Sequence, residues 1–219
     1  MTEFTTEAAC AYASDAERIG LDGLMVLPAM VYVPKPDELV AHFRAVARAT
    51  KLPIMLYNNP PAYRVNIGLD ALAALAGEQN IVALKEAAED TRRFTDIVNA
   101  LGDRYVLFAG LDDLAFEALA LGAAGWVSGL TGAFPEESVR IYELMTAGRM
   151  AEARDLYRWF MPLLHLDAGH DLVQCIKLVQ QRAGQGSARV RPPRYPLSGA
   201  RHDEVVALAD GALRTRKPH

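Results

Sequence analysis

The sequence lacks most of the features that mark a specialised environment. Its two cysteines, Cys10 and Cys175, are too few for a disulfide framework. Both fall in amphipathic helical patterns and are expected as small buried reduced thiols. No apolar run approaches the ~18 residues of a membrane span. The opening Met1-Thr2-Glu3-Phe4-Thr5-Thr6-Glu7 has no cationic stretch leading into an apolar one, so no secretory signal is expected. Positive charge is not in excess: 23 Lys and Arg stand against 27 Asp and Glu, for a net charge of −4. With no basic face in the pattern, nucleic acid is not the expected partner. Low-complexity segments and linkers are missing too, and no strand is followed by a glycine-rich phosphate turn. Together these absences point to the cytoplasm, with neither membrane nor nucleic acid as partner.

What is present is a chain of 219 residues, 51% of them apolar, long enough to bury one substantial core. Short, nearly continuous apolar runs alternate with helical patterns. Residues 21–28, 52–57, 81–85, 105–110 and 125–129 are expected as strands, apolar throughout as in parallel strands covered on both faces. Residues 37–50, 69–76, 91–101, 113–121 and 135–147 are expected as helices, with Asp90 and Asp112 at N-cap positions and Gly102, Gly122 and Gly148 at the stops. Five βα units make an α/β protein. Residues 1–149 are therefore expected as barrel-type βα units and residues 150–219 as a helical region packed on them. A doubly wound sheet would carry its phosphate turn, whereas Tyr57, Lys85 and Ser128 stand at strand ends, where barrels keep their chemistry.

Lys85 closes the apolar run Ile81-Val82-Ala83-Leu84. Desolvation there disfavours the ammonium and supplies the neutral amine that imine formation needs. The pattern fits equally a lysine that leaves the barrel and pairs with Glu86 or Glu89. Tyr57, at the end of the preceding strand, could move protons near such an imine or be a packed phenol. The two at consecutive strand ends say more than either alone. Alternation along the strand sends Glu86 to the side opposite Lys85. Asp112 and Asp113 look like a carboxylate pair, but capping the next helix explains them more simply. His165, Asp167 and His170 lack the partners of a zinc or iron site, so no metal is expected.

At Leu27-Pro28, Tyr57-Asn58-Asn59-Pro60, Ala83-Leu84-Lys85-Glu86, Phe108-Ala109-Gly110-Leu111-Asp112 and Gly125-Trp126-Val127-Ser128, the chain resembles the dihydrodipicolinate synthase / N-acetylneuraminate lyase family. These are lysine-dependent class I aldolases and lyases. The resemblance implies a TIM (β/α)8 barrel, of which this chain holds strands 4–8 plus C-terminal helices. It implies Lys85 as the Schiff-base lysine and Tyr57 as the proton relay. Gly110 and Val127 would line the substrate pocket, with Ser128 and Asn58 as further substrate contacts. It also implies a small 2-oxo acid or cyclic imine as substrate, no metal or organic cofactor, and a homotetramer built as a dimer of dimers.

The chain departs from the family pattern at three places. Nothing in it replaces the family's earlier βα units, one of which carries a Gly-Thr-Thr-Gly-like carboxylate-binding turn, so a truncated product, or a non-catalytic remnant or assembly partner, is an open reading. After Pro28 come Ala29-Met30-Val31-Tyr32, where the synthases have Tyr-Tyr. Ala62 stands where the synthases place an arginine, and Arg64 follows two residues later. The phrases Leu-Pro-Ala-Met-Val-Tyr and Tyr-Asn-Asn-Pro-Pro-Ala-Tyr-Arg look most like the 1-pyrroline-4-hydroxy-2-carboxylate deaminases of bacterial hydroxyproline breakdown. Such an enzyme would release ammonia and 2-oxoglutarate semialdehyde. Another 2-oxo acid aldolase, or a dihydrodipicolinate synthase-like enzyme, is the alternative.

Overall fold

The structure, a computed structural model, describes residues 1–29 and 32–216. Met30 and Val31, singled out above, lie outside the described residues. The chain divides into two compact units, one of residues 1–110 and 121–124, the other of residues 111–120 and 125–219.

The first unit is a parallel sheet with a helical layer. Its elements run α1 (Thr6–Arg18), β1 (Leu24–Val26), α2 (Pro36–Arg48), β2 (Ile54–Asn58), α3 (Pro60–Tyr63), α4 (Leu69–Leu75), β3 (Ile81–Glu86), α5 (Arg92–Leu101) and β4 (Val106–Ala109). The strands pair in chain order, β1 with β2, β2 with β3 and β3 with β4, all parallel. Side chains alternate across the sheet. Val26, Ile54, Leu56, Ile81 and Leu84 are buried, as are Phe43 and Val46 of α2 and Leu72 and Leu75 of α4. Between Ile54 and Met55 the β2–β3 register shifts, so Ile81 pairs with Ile54 but Ala83 with Met55. Val82, in the shift, is exposed, and the alternation resumes with Tyr57 opposite Lys85.

The other face of this sheet lines an open groove of about 450 Å³, walled by Met25, Met55, Val82, Ala83, Val106 and Phe108. At the sheet's lower corner Arg104 donates to the carbonyls of Ala76, Glu78 and Ile81, tying the α4–β3 turn to the start of β4. Gly102, at φ 61°, ends α5 in a conformation that favours glycine.

The second unit contains α6 (Ala115–Ala120), β5 (Gly125–Trp126), α7 (Pro135–Thr146), α8 (Met150–Leu164), α9 (Leu172–Arg182) and α10 (Gly199–Thr215). Aromatic packing centres it: Phe134 meets Phe160 edge-on at 5.6 Å between centroids, and Phe116 stacks on Tyr157 at 5.5 Å. Ion pairs close its helical end, Arg182 with Asp210, Arg201 with Asp171, and Arg216 with Glu137, whose side chain is buried. Between α7 and α8, Arg149 N donates to the Leu144 carbonyl and joins the two helices.

Two expectations need correction. The strand expected over residues 21–28 is only Leu24–Val26, and the one expected over 125–129 stops at Trp126. Asp112 does not cap the helix that follows it. Its carboxylate, 1% exposed, accepts instead from Trp126 Nε1 (3.0 Å), Ser128 Oγ (3.0 Å), Gly129 N (3.2 Å) and Leu130 N (2.8 Å). A buried carboxylate needs several donors, and the turn after β5 supplies more than a short helix start can. That turn is also why β5 ends early.

Candidate active site

Register brings Lys85 and Tyr57 together. They are paired residues of β3 and β2, on the groove face, and Phe108 of β4 pairs with Lys85 from the other side. Lys85 is 9% exposed, and its Nζ lies 4.1 Å from the centroid of the Tyr57 ring. An amine held over a phenol face is both desolvated and fixed in place. The Tyr57 hydroxyl accepts from Asn59 Nδ2 at 2.9 Å, and the Tyr63 ring meets the Tyr57 ring edge-on at 5.7 Å between centroids.

The residues next in line face the other way. Asn58, fully buried, donates through Nδ2 to Glu86 Oε1 (2.8 Å) and to Asn66 Oδ1 (3.2 Å), and accepts from Ile67 N (2.8 Å). Glu86 also accepts from Ala88 N (2.8 Å) and from Arg93 Nε (2.8 Å), while the Arg93 guanidinium reaches the Ile67 carbonyl. Glu86 is thus bound to Arg93 rather than to Lys85. The pair Asn58–Glu86 sits one residue beyond the pair Tyr57–Lys85 in the same ladder. It holds the two strand ends in register from the helix side.

Gly110 N donates to the Glu86 carbonyl at 2.8 Å. A Cβ on Gly110 would stand 2.8 Å from both that oxygen and the Ala87 Cβ, so only glycine fits against the end of β3. Val127 and Ser128 belong to the second unit. Ser128 Oγ donates to Asp112 Oδ2 and accepts from Thr131 N at 3.0 Å, and the Val127 side chain is half-buried. Burial pushes the Asp112 carboxyl up from its ordinary range, against the pull of the four donors around it. His165 Nδ1 lies 2.9 Å from Asp113 Oδ2. Among the described residues no group of three His, Cys, Asp or Glu side chains is placed to hold a metal ion. No described helix is long and apolar enough to cross a membrane.

Asn59, Tyr63 and Arg93 were not legible as parts of the site. Asn59 had one visible signal, an Asn before two prolines, which is an N-cap pattern. It does accept from Ala62 N (3.1 Å) at the start of α3.

Parallel strands ending in a buried lysine beside a tyrosine are the layout of α/β-barrel scaffolds, whose chemistry gathers at the C-terminal strand ends. Over residues 4–212 the chain matches the Dihydrodipicolinate synthetase family, and it belongs to that family. It is 32% identical to a 4-hydroxy-tetrahydrodipicolinate synthase of Geotalea uraniireducens over 207 residues, 93% of this chain and 70% of that protein. With the enzyme of the same description from Syntrophobacter fumaroxidans it shares 34% over 160 residues, 73% of this chain and 55% of that protein. The fold is similar to the 4-hydroxy-tetrahydrodipicolinate synthase of Methylacidiphilum fumariolicum SolV, with a TM-score of 0.89 and 28% identity over 98% of this chain and 73% of that one. It is also similar to the dihydrodipicolinate synthase of Acinetobacter baumannii solved with pyruvate, with a TM-score of 0.87 and 25% identity over 95% of this chain and 71% of that one. These relatives are synthases, and they do not carry the expected likeness to the deaminase branch.

Proposed function

We propose that this chain carries the Schiff-base site of a synthase-type lyase acting on pyruvate or a close 2-oxo acid. The observation that carries the reading is Lys85 itself, buried at a strand end with its Nζ 4.1 Å from the Tyr57 ring centroid. The Lys85 amine attacks the keto carbon, water leaves, and a protonated imine forms. That imine withdraws electrons, so a C3 proton departs to a nearby base and an enamine results. The enamine carbon then attacks an electrophilic second substrate, and hydrolysis of the product imine frees Lys85. Tyr57 is the group placed to exchange protons along this path. We assign Gly110 to the pocket lining at the end of β3. Asn58, with its amide committed to Glu86 and Ile67, supports the strand ends, and Ser128 supports the turn after β5. We assign the chain to five strands of an eight-stranded barrel that works as a homotetramer.

A second reading rests on Ala62, an exposed apolar residue where the family's synthases place an arginine. It makes the substrate 1-pyrroline-4-hydroxy-2-carboxylate, opened on Lys85 and dehydrated, with ammonia as a product. Incubation with pyruvate and borohydride should leave a reduced pyruvyl adduct on the Lys85 peptide, absent from Lys85→Ala. No adduct from either pyruvate or the cyclic imine refutes the Schiff-base site. Ammonia release from the imine, with no turnover of pyruvate, selects the second reading.

A further inference from the structure

The short helix α3 does more than turn the chain after β2. Asn59 caps it: Oδ1 accepts from Ala62 N, and the Asn59 carbonyl accepts from Tyr63 N at 3.0 Å. With Oδ1 committed as an acceptor, the Asn59 amide must present its NH₂ outward, and that NH₂ donates to the Tyr57 hydroxyl at 2.9 Å. The turn then closes tightly, with Arg64 at φ 60° and its N–H on the Pro60 carbonyl. This fixes Tyr63 one helical turn from Asn59, with its ring edge-on to the Tyr57 ring and its phenol beside the Tyr57 phenol. Burial, and the Tyr57 oxygen beside it, push the Tyr63 phenol up to about 12. Tyr63 therefore keeps its proton wherever Tyr57 could work. Lys85 from β3 and Tyr63 from α3 face Tyr57, while Glu86 and Arg93 lie on the opposite face of the sheet.

We propose that Asn59 and Tyr63 are positioning residues that donate to the phenolic oxygen of Tyr57, lower its proton affinity, and so tune it for proton exchange with a carbon bound to Lys85. Hydrogen bonds to the charged form of a group favour that form. The inference rests on the Schiff-base reading for its chemistry but not for its test.

The test follows the titration of Tyr57 by NMR of the full chain labelled with ¹³Cζ-tyrosine, its signal assigned with Tyr57→Phe. Tyr63→Phe keeps the ring and removes the hydroxyl, while Asn59→Ser keeps a neutral N-cap acceptor and removes the amide donor without adding charge. Each should raise the Tyr57 titration by about one pH unit. Deuterium uptake into the pyruvate methyl group should shift along the pH axis in the same sense, with the Lys85 adduct still formed. An unmoved Tyr57 titration in both variants overturns the proposal. A shift in Asn59→Ser alone overturns the part given to Tyr63. If the unmodified chain forms no Lys85 adduct, the Schiff-base reading fails, and the titration still decides the tuning.

Discussion

Replacing Arg93 with methionine should be among the most damaging single changes in the first unit. The guanidinium donates to Glu86 Oε2 and to the Ile67 carbonyl, both at 2.8 Å, and the Glu86 side chain has no exposed surface. Methionine fills much of the space but leaves a carboxylate with no cation in a dry setting. Breaking a buried ion pair from one side costs ~3–5 kcal/mol. Asn58 Nδ2 and Ala88 N still donate to Glu86, which puts the expected loss near the lower end, ~3 kcal/mol. Urea unfolding of Arg93→Met should show that loss as a lower midpoint with an unchanged slope. The double variant Arg93→Met, Glu86→Gln removes the charge and keeps an oxygen for Asn58 and Ala88. It should recover roughly 1–2 kcal/mol relative to the single variant, a coupling typical of residues in contact. A loss under about 1 kcal/mol in Arg93→Met, or strict additivity in the double variant, would show that Glu86 is not the dependent partner described here.

Two further outcomes are expected. Gly110→Ala should destabilise by about 1–3 kcal/mol, because its Cβ would meet backbone rather than a movable side chain; a melting temperature equal to that of the unmodified chain would contradict this. The Arg201 guanidinium holds the Asp171 carboxyl below its usual range. Its contribution to stability is therefore present above the ordinary carboxylate value and lost as pH falls through the lowered one. The urea midpoint should drop between pH 5 and acid more steeply in the unmodified chain than in Arg201→Ala, and parallel curves would exclude the link.

The positions of the five strands were legible because parallel strands are apolar without interruption, and that pattern is local. Their lengths were not. Leu21 to Gly23 look like strand by composition, but they are exposed and sit in the approach to β1. Ser128 and Gly129 look like the end of β5, but their hydrogen-bonding groups go to Asp112, 16 and 17 residues earlier. No window of sequence contains that contact. The active pair was half legible. A lysine ending an apolar strand signals itself by cost, yet its pattern fits equally a lysine paired with a glutamate; alternation along the strand argues against Glu86, and Glu86 is in fact paired with Arg93. Tyr63 gave no signal, since its importance depends on a four-residue helix that exists because Asn59 caps it.

Structural and chemical duties alternate along β2 and β3: Tyr57 then Asn58, Lys85 then Glu86. The ladder therefore works as a reading frame. A deletion or insertion of one residue in β3 beyond the shift at Val82 would not merely blunt the site. It would present the Glu86 carboxylate at the groove and drive the Lys85 amine into the buried network, exchanging a nucleophile for an acid and a paired carboxylate for an unpaired ammonium. Substitutions at these four positions can be graded in effect, but a frameshift in the strand admits no intermediate. Variation in the length of this chain is for that reason expected in the turns that flank the two strands or at the shift beside Val82, not between that shift and the strand ends.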